Sequence, residues 1–129
     1  RVQLSSETMK LIQDRKFAKG DVFEVARLAG IMATKRTADL IPLCHPLPVD
    51  SVTIDFDLES ATSFRIESEV SVTAKTGVEM EALVAVATAA MTVYDMCKAI
   101  DRSMSITDVY LQEKSGGRSG HFVRKSEPV

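Results

Sequence analysis

The sequence has 129 residues, of which 45% are hydrophobic and 26% are charged, a balance typical of one globular domain. The formal net charge of −2 argues against a protein that coats nucleic acid, because such domains are basic. The two cysteines, Cys44 and Cys97, lie far apart, which excludes a disulfide scaffold or a zinc finger. No apolar run is expected to span a membrane, and no signal-peptide pattern opens the chain. A cytoplasmic protein is therefore expected, although the start at Arg1 leaves a removed targeting segment open.

The spacing of apolar residues predicts two helices in the first third of the chain. The first covers residues 5–16. The second begins at a capping box, in which Asp21 is followed by Glu24, and runs to about residue 35. Its inward-facing side chains are expected to be Val22, Val25, Ala26, Ala29 and Met32. Three prolines within residues 42–48 then exclude a regular helix or a central strand.

Alternating polar and apolar residues predict an antiparallel, half-exposed strand pair at residues 52–59 and 64–74. A second capping box, Thr76 with Glu79, opens the longest helix, at about residues 78–102. The apolar stripe of that helix is expected to be Leu83, Ala87, Ala90, Tyr94 and Cys97. A third strand at about residues 105–113 precedes a glycine-rich segment at 114–120. This order of elements predicts an α+β fold with helices on one face of an antiparallel sheet, and it suits a ferredoxin-like sandwich.

Prolines bracket the dipeptide Cys44-His45 and hold its backbone at low entropic cost. Because histidine titrates near neutral pH, His45 is a candidate general acid, general base or phosphate ligand. The alternative is a rigid turn in which Leu43 and Leu47 fill the core.

Asp95 and Lys98 are three residues apart on the long helix and share a face. Such a pair is usually a surface salt bridge. Partial burial would instead lower the pKa of the Lys98 ammonium and make it a candidate for proton transfer, while Asp95 would oppose the shift. Both interpretations stay open at this point.

Charged residues near the other end of the helix suggest a site for an anion. Glu79 and Glu81 lie about 200° apart around a helix, so one is expected to cap the helix and the other to project outward. Lys114 and Arg118, with the glycines between them, could bind a phosphate; a flexible solvated tail is the alternative. Glu81 and Asp95 are 14 residues apart, or about 21 Å along a helix, so one small substrate cannot contact both in one chain.

Five motifs occur in an order that resembles the cyclic pyranopterin monophosphate synthase family, accessory protein C of molybdenum cofactor biosynthesis. They are residues 19–23, 40–46, 75–83, 94–99 and 114–120. The resemblance implies one domain over residues 1–129, a ferredoxin-like subunit and a homo-hexamer, a trimer of dimers with sites between subunits. It also implies a lyase that converts a cyclised dihydro-GTP to cyclic pyranopterin monophosphate and releases pyrophosphate. It implies no required cofactor, no protein-bound metal, and no nucleic-acid or membrane partner; Mg²⁺ accompanying the triphosphate stays open.

The resemblance also assigns roles to individual residues. Those implied to be catalytic are Asp95, Lys98, Lys19 and His45. Those implied to bind substrate are Cys44, Glu79, Met80, Glu81, Lys114 and Arg118. One alternative function is a non-catalytic, ferredoxin-like nucleotide-binding module. A metal-dependent phosphohydrolase is a weaker alternative, because the paired ligand spacing of such sites is missing.

Overall fold

The computed structural model describes residues 1–127, so the last two residues of the predicted domain lie outside that range. Its main sheet has four antiparallel strands in the order β2-β3-β1-β4, and a second sheet pairs β5 with β6. The strands are β1 (Val2–Gln3), β2 (Ser51–Ser60), β3 (Ser63–Ser71), β4 (Ser105–Ile106), β5 (Glu113–Lys114) and β6 (Phe122–Val123). The helices are α1 (Ser6–Gln13), α2 (Val22–Thr34), α3 (Thr37–Leu40) and α4 (Glu79–Cys97). An antiparallel sheet with helices packed against it confirms the predicted α+β class and is compatible with a ferredoxin-like arrangement.

Side-chain caps define where the first two helices begin. The hydroxyl of Ser5 accepts a hydrogen bond from the Thr8 amide at 3.1 Å and starts α1. The Asp21 carboxylate accepts one from the Glu24 amide at 3.3 Å, which confirms the predicted cap of α2. The first helix ends at Gln13, earlier than predicted, and Arg15 beyond it has a left-handed backbone with φ of 56°.

The buried faces of both long helices differ from the predicted ones. In α2, Val22 and Ala26 are buried as predicted, but Met32 is 57% exposed. Gly30 is buried instead, because α2 crosses α4 there so closely that a Cβ on Gly30 would lie 2.9 Å from the carbonyl oxygen of Ala85. Small residues therefore form the contact between the helices, where the prediction for α2 had also placed Met32 inward.

The predicted stripe of α4 is only partly confirmed, because Ala90 and Cys97 are buried as predicted but other members are not. Its fully buried positions include Ala85, Ala89 and Val93, while Leu83 and Ala87 are only half-buried. The helix is long and apolar enough to cross a membrane by length and composition alone, which corrects the expectation that no such run exists. One face of α4 packs into the hydrophobic core against α2 and β3, and this burial explains the apolar composition of the helix.

Aromatic side chains join α2 to the sheet. Phe23 stacks on Phe56 with ring centroids 4.5 Å apart and meets the edge of Phe64 at 5.0 Å. Phe64 is fully buried, so this cluster fixes α2 over β2 and β3.

The predicted strand at residues 105–113 is wrong beyond Ile106. Asp108 has a left-handed backbone, with φ of 55°, which interrupts an extended chain. Extended structure returns at β5, which pairs with β6. Residues 115–120 of the glycine-rich segment therefore lie in the loop of a hairpin, and the interpretation as a free tail is wrong.

Candidate functional site

An ion pair connects β5 to the first turn of α4. The Nζ atom of Lys114 lies 2.7 Å from Glu79 Oε1 and donates a hydrogen bond to Ser119 Oγ at 2.6 Å. The Lys114 side chain is only 14% exposed. Its hydrogen bond lowers the pKa of the Glu79 carboxyl below the usual value. The predicted capping box is wrong, because Val78 is the N-cap of α4 and makes no side-chain cap.

The glycine-rich loop contacts the turn that precedes α4. Gly117 has φ of +72°, and a Cβ there would lie 3.4 Å from the Gly77 amide nitrogen and 3.6 Å from Lys114 Nζ. Glycine at this position therefore allows two backbone segments and an ammonium group to converge. Backbone amides beside a cation can bind an anionic ligand. Arg118 lies exposed on the same loop.

Glu81 is buried, whereas the sequence predicted that one of Glu79 and Glu81 would cap the helix and the other would project outward. The residue is 2% exposed, and its Oε1 accepts a hydrogen bond from the Cys44 thiol at 3.9 Å. Its Oε2 has no hydrogen-bond partner among residues 1–127. Burial raises the pKa of the Glu81 carboxyl and also that of the Cys44 thiol. We call Cys44, Glu79, Glu81 and Lys114 the carboxylate cluster.

The contact between Cys44 and Glu81 fixes the proline-rich loop at the amino end of α4. His45, the next residue, is exposed at this end of the molecule. Leu43 is 95% exposed, so the alternative in which it fills the core is wrong. Met80, which lies between the two glutamates in the sequence, is half-buried.

A second group of charges lies at the carboxyl end of α4. Lys98 Nζ and Asp95 Oδ1 are 2.6 Å apart, and their side chains are 53% and 60% exposed. Hydrogen bonding to Lys98 lowers the pKa of the Asp95 carboxyl, and the charge of nearby Lys19 lowers it further. We call Lys19, Asp95 and Lys98 the lysine cluster. Within one chain the cluster is open to solvent, so the partial burial considered for Lys98 is not found.

The two clusters contain seven of the ten residues to which the sequence assigned a role. Sequence analysis assigned no role to Ser119 or Gly77; a hydroxyl beside glycines in a charged segment was the signal for Ser119. Within residues 1–127, no group of three or more His, Cys, Asp or Glu side chains is placed to hold a metal ion.

Comparison with known proteins identifies the family. Residues 1–117 match the model of the MoaC family. The match covers most of the chain and includes both clusters, so the chain belongs to the MoaC family.

Several curated relatives are similar over almost the whole chain. A protein of Heliobacterium modesticaldum named cyclic pyranopterin monophosphate synthase is 56% identical over 126 residues, covering 97% of this chain and 79% of its own. One of the same name from Thermomicrobium roseum is 56% identical over 128 residues, covering 98% and 77%. Cyclic pyranopterin monophosphate synthase 3 of Mycobacterium bovis is 54% identical over 128 residues, covering 99% and 72%.

Proposed function

We propose that this chain is a cyclic pyranopterin monophosphate synthase, a lyase of molybdenum cofactor biosynthesis. The observation that carries the proposal is 56% identity to relatives of that name over 97–98% of the chain. The reaction follows the resemblance of the motifs: a cyclised dihydro-GTP is rearranged to the cyclic monophosphate, and pyrophosphate leaves. This chemistry needs proton transfers and firm binding of a triphosphate, and the two clusters offer groups suited to each.

The lysine cluster supplies the proton transfers in this proposal. Lys98 moves protons, and Asp95, at 2.6 Å, positions its ammonium group. Lys19 adds a second cation whose charge reaches Asp95. A lysine that acts as a base must lose its proton, so the cluster has to be covered and desolvated when substrate binds.

The carboxylate cluster and the loop beside it hold the substrate. Lys114 and Arg118 bind phosphate oxygens, supported by the amides around Gly117. The segment around α4 residues Glu79, Met80 and Glu81 contacts the base and sugar together with Cys44. In this proposal His45 is a further catalytic group, because it is exposed and adjacent to that contact.

The active site is assembled from two chains, in a homo-hexamer built as a trimer of dimers. The clusters lie at opposite ends of α4, separated by about 21 Å along the helix, so one substrate cannot reach both in one chain. Large apolar side chains also remain exposed on and near α2, as expected of surfaces that bind another subunit. They are Leu28, Met32, Leu40 and Leu43. We propose no required cofactor and a cytoplasmic location; Mg²⁺ accompanying the triphosphate is left open.

The experiment is turnover by the purified chain. The cyclised dihydro-GTP is added, and pyrophosphate and the cyclic product are measured together with equilibrium binding. We expect one pyrophosphate per product. Tight binding without release of pyrophosphate would instead favour the nucleotide-binding module.

A further inference from the structure

A buried carboxylate just beyond the end of α4 belongs to neither cluster. Asp101 is 7% exposed, and its two oxygens accept three hydrogen bonds. The Ser5 amide and the Thr8 hydroxyl donate to Oδ2 at 2.9 and 3.0 Å, and the Ser103 hydroxyl donates to Oδ1 at 2.8 Å. The hydrogen bond from the Ser5 amide is the largest cause that lowers the pKa of the Asp101 carboxyl, while burial opposes it. Asp101 is therefore an ionised side chain whose burial is offset by the segments that it joins.

Asp101 completes the cap of α1 from a distant part of the chain. In a capping box, the N-cap side chain bonds the amide of the third helical residue, and an acid at that third position bonds the N-cap amide in return. Ser5 and the Thr8 amide form the first half of this arrangement. Because threonine stands where the acid would be, the Ser5 amide bonds Asp101 instead. The first turn of α1 is thus tied to the segment that follows α4.

The two segments that Asp101 joins each lead to part of the lysine cluster. Asp101 lies three residues after Lys98, and its amide bonds the Cys97 carbonyl at 3.0 Å, so it belongs to the turn that ends α4. Lys19 lies in the connection that follows α1. Helix α1 has only eight residues, and a helix of that length is marginal without tertiary contacts. The place of Lys19 beside Asp95 therefore depends on how α1 is held against the end of α4.

We propose that Asp101 is a positioning residue, which clamps α1 to the end of α4 and thereby fixes the distances within the lysine cluster. Burial of Met9 and Ile12 also holds α1, but apolar contact is non-directional. The hydrogen bonds from Ser5 and Thr8, two donors in one helical turn, fix the orientation of α1 as well. The consequence for catalysis rests on the proposed function, whereas the geometry of the clamp does not.

The pKa of Asp95 reports the geometry of the cluster without any turnover. It is lowered first by the Lys98 hydrogen bond and then by the charge of Lys19, so displacement of either lysine raises it toward its ordinary value. Asp101→Ala should therefore raise the pKa of Asp95, measured by carboxyl-carbon NMR titration. Asp101→Asn should not, because its amide can accept both hydrogen bonds from α1 and donate to the Ser103 hydroxyl. Since both variants remove the same charge, the difference between them isolates the hydrogen bonds.

A matched pair of milder substitutions keeps the test decisive if Asp101→Ala does not fold. Thr8→Val removes a hydrogen bond that crosses to α1, and Ser103→Ala removes one of similar length within the same turn. We expect the pKa of Asp95 to rise in the Thr8 variant and to stay unchanged in the Ser103 variant. Equal values in this pair, or equal values in the two Asp101 variants, would overturn the proposal.

Turnover separates this inference from the proposed function. Asp101→Ala should lower kcat by about tenfold or more with little change in KM, because a displaced catalytic group loses rate, while Asp101→Asn should stay near wild type. Asp55→Ala, at an exposed position, is the control for loss of a carboxylate. Absence of turnover in every chain would refute the proposed function, and the pKa of Asp95 would still decide whether Asp101 holds the cluster. A raised pKa of Asp95 with unchanged kcat would overturn the positioning role.

Discussion

The two ends of α4 carry similar residue types in different environments. At the amino end, Lys114 and Glu79 are paired and mostly covered, and Glu81 is buried. At the carboxyl end, Lys98 and Asp95 are paired at a similar distance, but both are more than half exposed. The ion pair at the amino end is thus largely shielded from water within a single chain. The ion pair at the carboxyl end has a similar distance, but both of its side chains remain in contact with water. Under the proposed function, the amino end binds ligand as it stands in one chain, and the carboxyl end needs a second surface to become reactive.

The largest expected effect is on turnover at the carboxyl end. Lys98→Arg keeps the positive charge and the partner Asp95 but cannot readily lose its proton. We expect substrate binding near normal and turnover lowered by about 10²-fold or more, in line with general acid–base catalysis. Steady-state kinetics with pyrophosphate detection measures both, and Lys10→Arg on exposed α1 is the control. Normal turnover would reduce Lys98 to a fixed charge and pass the proton transfer to Lys19 or His45.

The next effect is on binding at the amino end. Lys114→Ala removes a cation that is 14% exposed, so we expect affinity for substrate to fall by roughly 10- to 100-fold, the loss of one charge-assisted contact. The remaining affinity should also depend less on salt concentration. Titration calorimetry at two ionic strengths measures both quantities, with exposed Lys16→Ala as the control. Unchanged affinity with an unchanged salt dependence would contradict this role.

Sequence reasoning succeeded where one local pattern determines the structure. The alternation in β2 and β3 and the Asp21 cap are examples, because each depends on near neighbours alone. It failed where contacts between residues far apart in the sequence, or an unusual backbone conformation, determine the structure. The buried face of α2 follows from the close approach at Gly30, and the strand after Ile106 ends at a left-handed Asp108.

The site shows the same division. Helical spacing correctly separated the two clusters along α4 and paired Asp95 with Lys98. It could not show that Glu81 would be buried, because the angle between Glu79 and Glu81 gives only their relative directions. Which of the two side chains is covered depends on the packing of the loop that contains Cys44. The partner of Glu79 was missed for a similar reason, since Lys114 reaches it through the β5–β6 hairpin.

Replacing Glu81 or Glu79 by glutamine should change the free energy of unfolding in opposite directions. Burial raises the pKa of Glu81, so the folded protein binds this proton more tightly than the unfolded chain does. The contribution of Glu81 to the free energy of unfolding therefore falls as the pH rises above the unfolded pKa of about 4.5. Glu81→Gln should therefore gain stability relative to wild type between pH 5 and 8. The pKa of Glu79 is lowered by Lys114, so its contribution is present above the same pH and disappears on acidification.

Glu79→Gln should accordingly lose stability relative to wild type near pH 7, with the difference vanishing in acid. Urea unfolding midpoints at several pH values measure both variants. Parallel pH curves for the two variants would show that the environments of the two carboxylates are not distinct.

The smallest expected effect concerns the charge of Lys19. Because the Lys98 hydrogen bond is the larger cause of the lowered pKa of Asp95, Lys98→Ala should raise that pKa more than Lys19→Ala does. Carboxyl-carbon NMR titration of Asp95 measures both shifts. A larger rise in the Lys19 variant would reverse the assignment of the primary partner.

The central claim, that the two ends of α4 in different chains form one site, is tested most directly by mixing two impaired variants. Lys98→Ala and Lys114→Ala chains are dissociated together and reassembled, with chain exchange verified by mass spectrometry. In a two-fold dimer with random pairing, half of the dimers contain both variants and each has one intact site. Activity is measured at substrate concentrations well below the Kd, where weakened binding leaves Lys114→Ala with roughly a tenth or less of wild-type activity. The account predicts about a quarter of wild-type activity for the mixture, clearly more than either variant gives when it is reassembled alone. Complete exchange without recovered activity would contradict the claim.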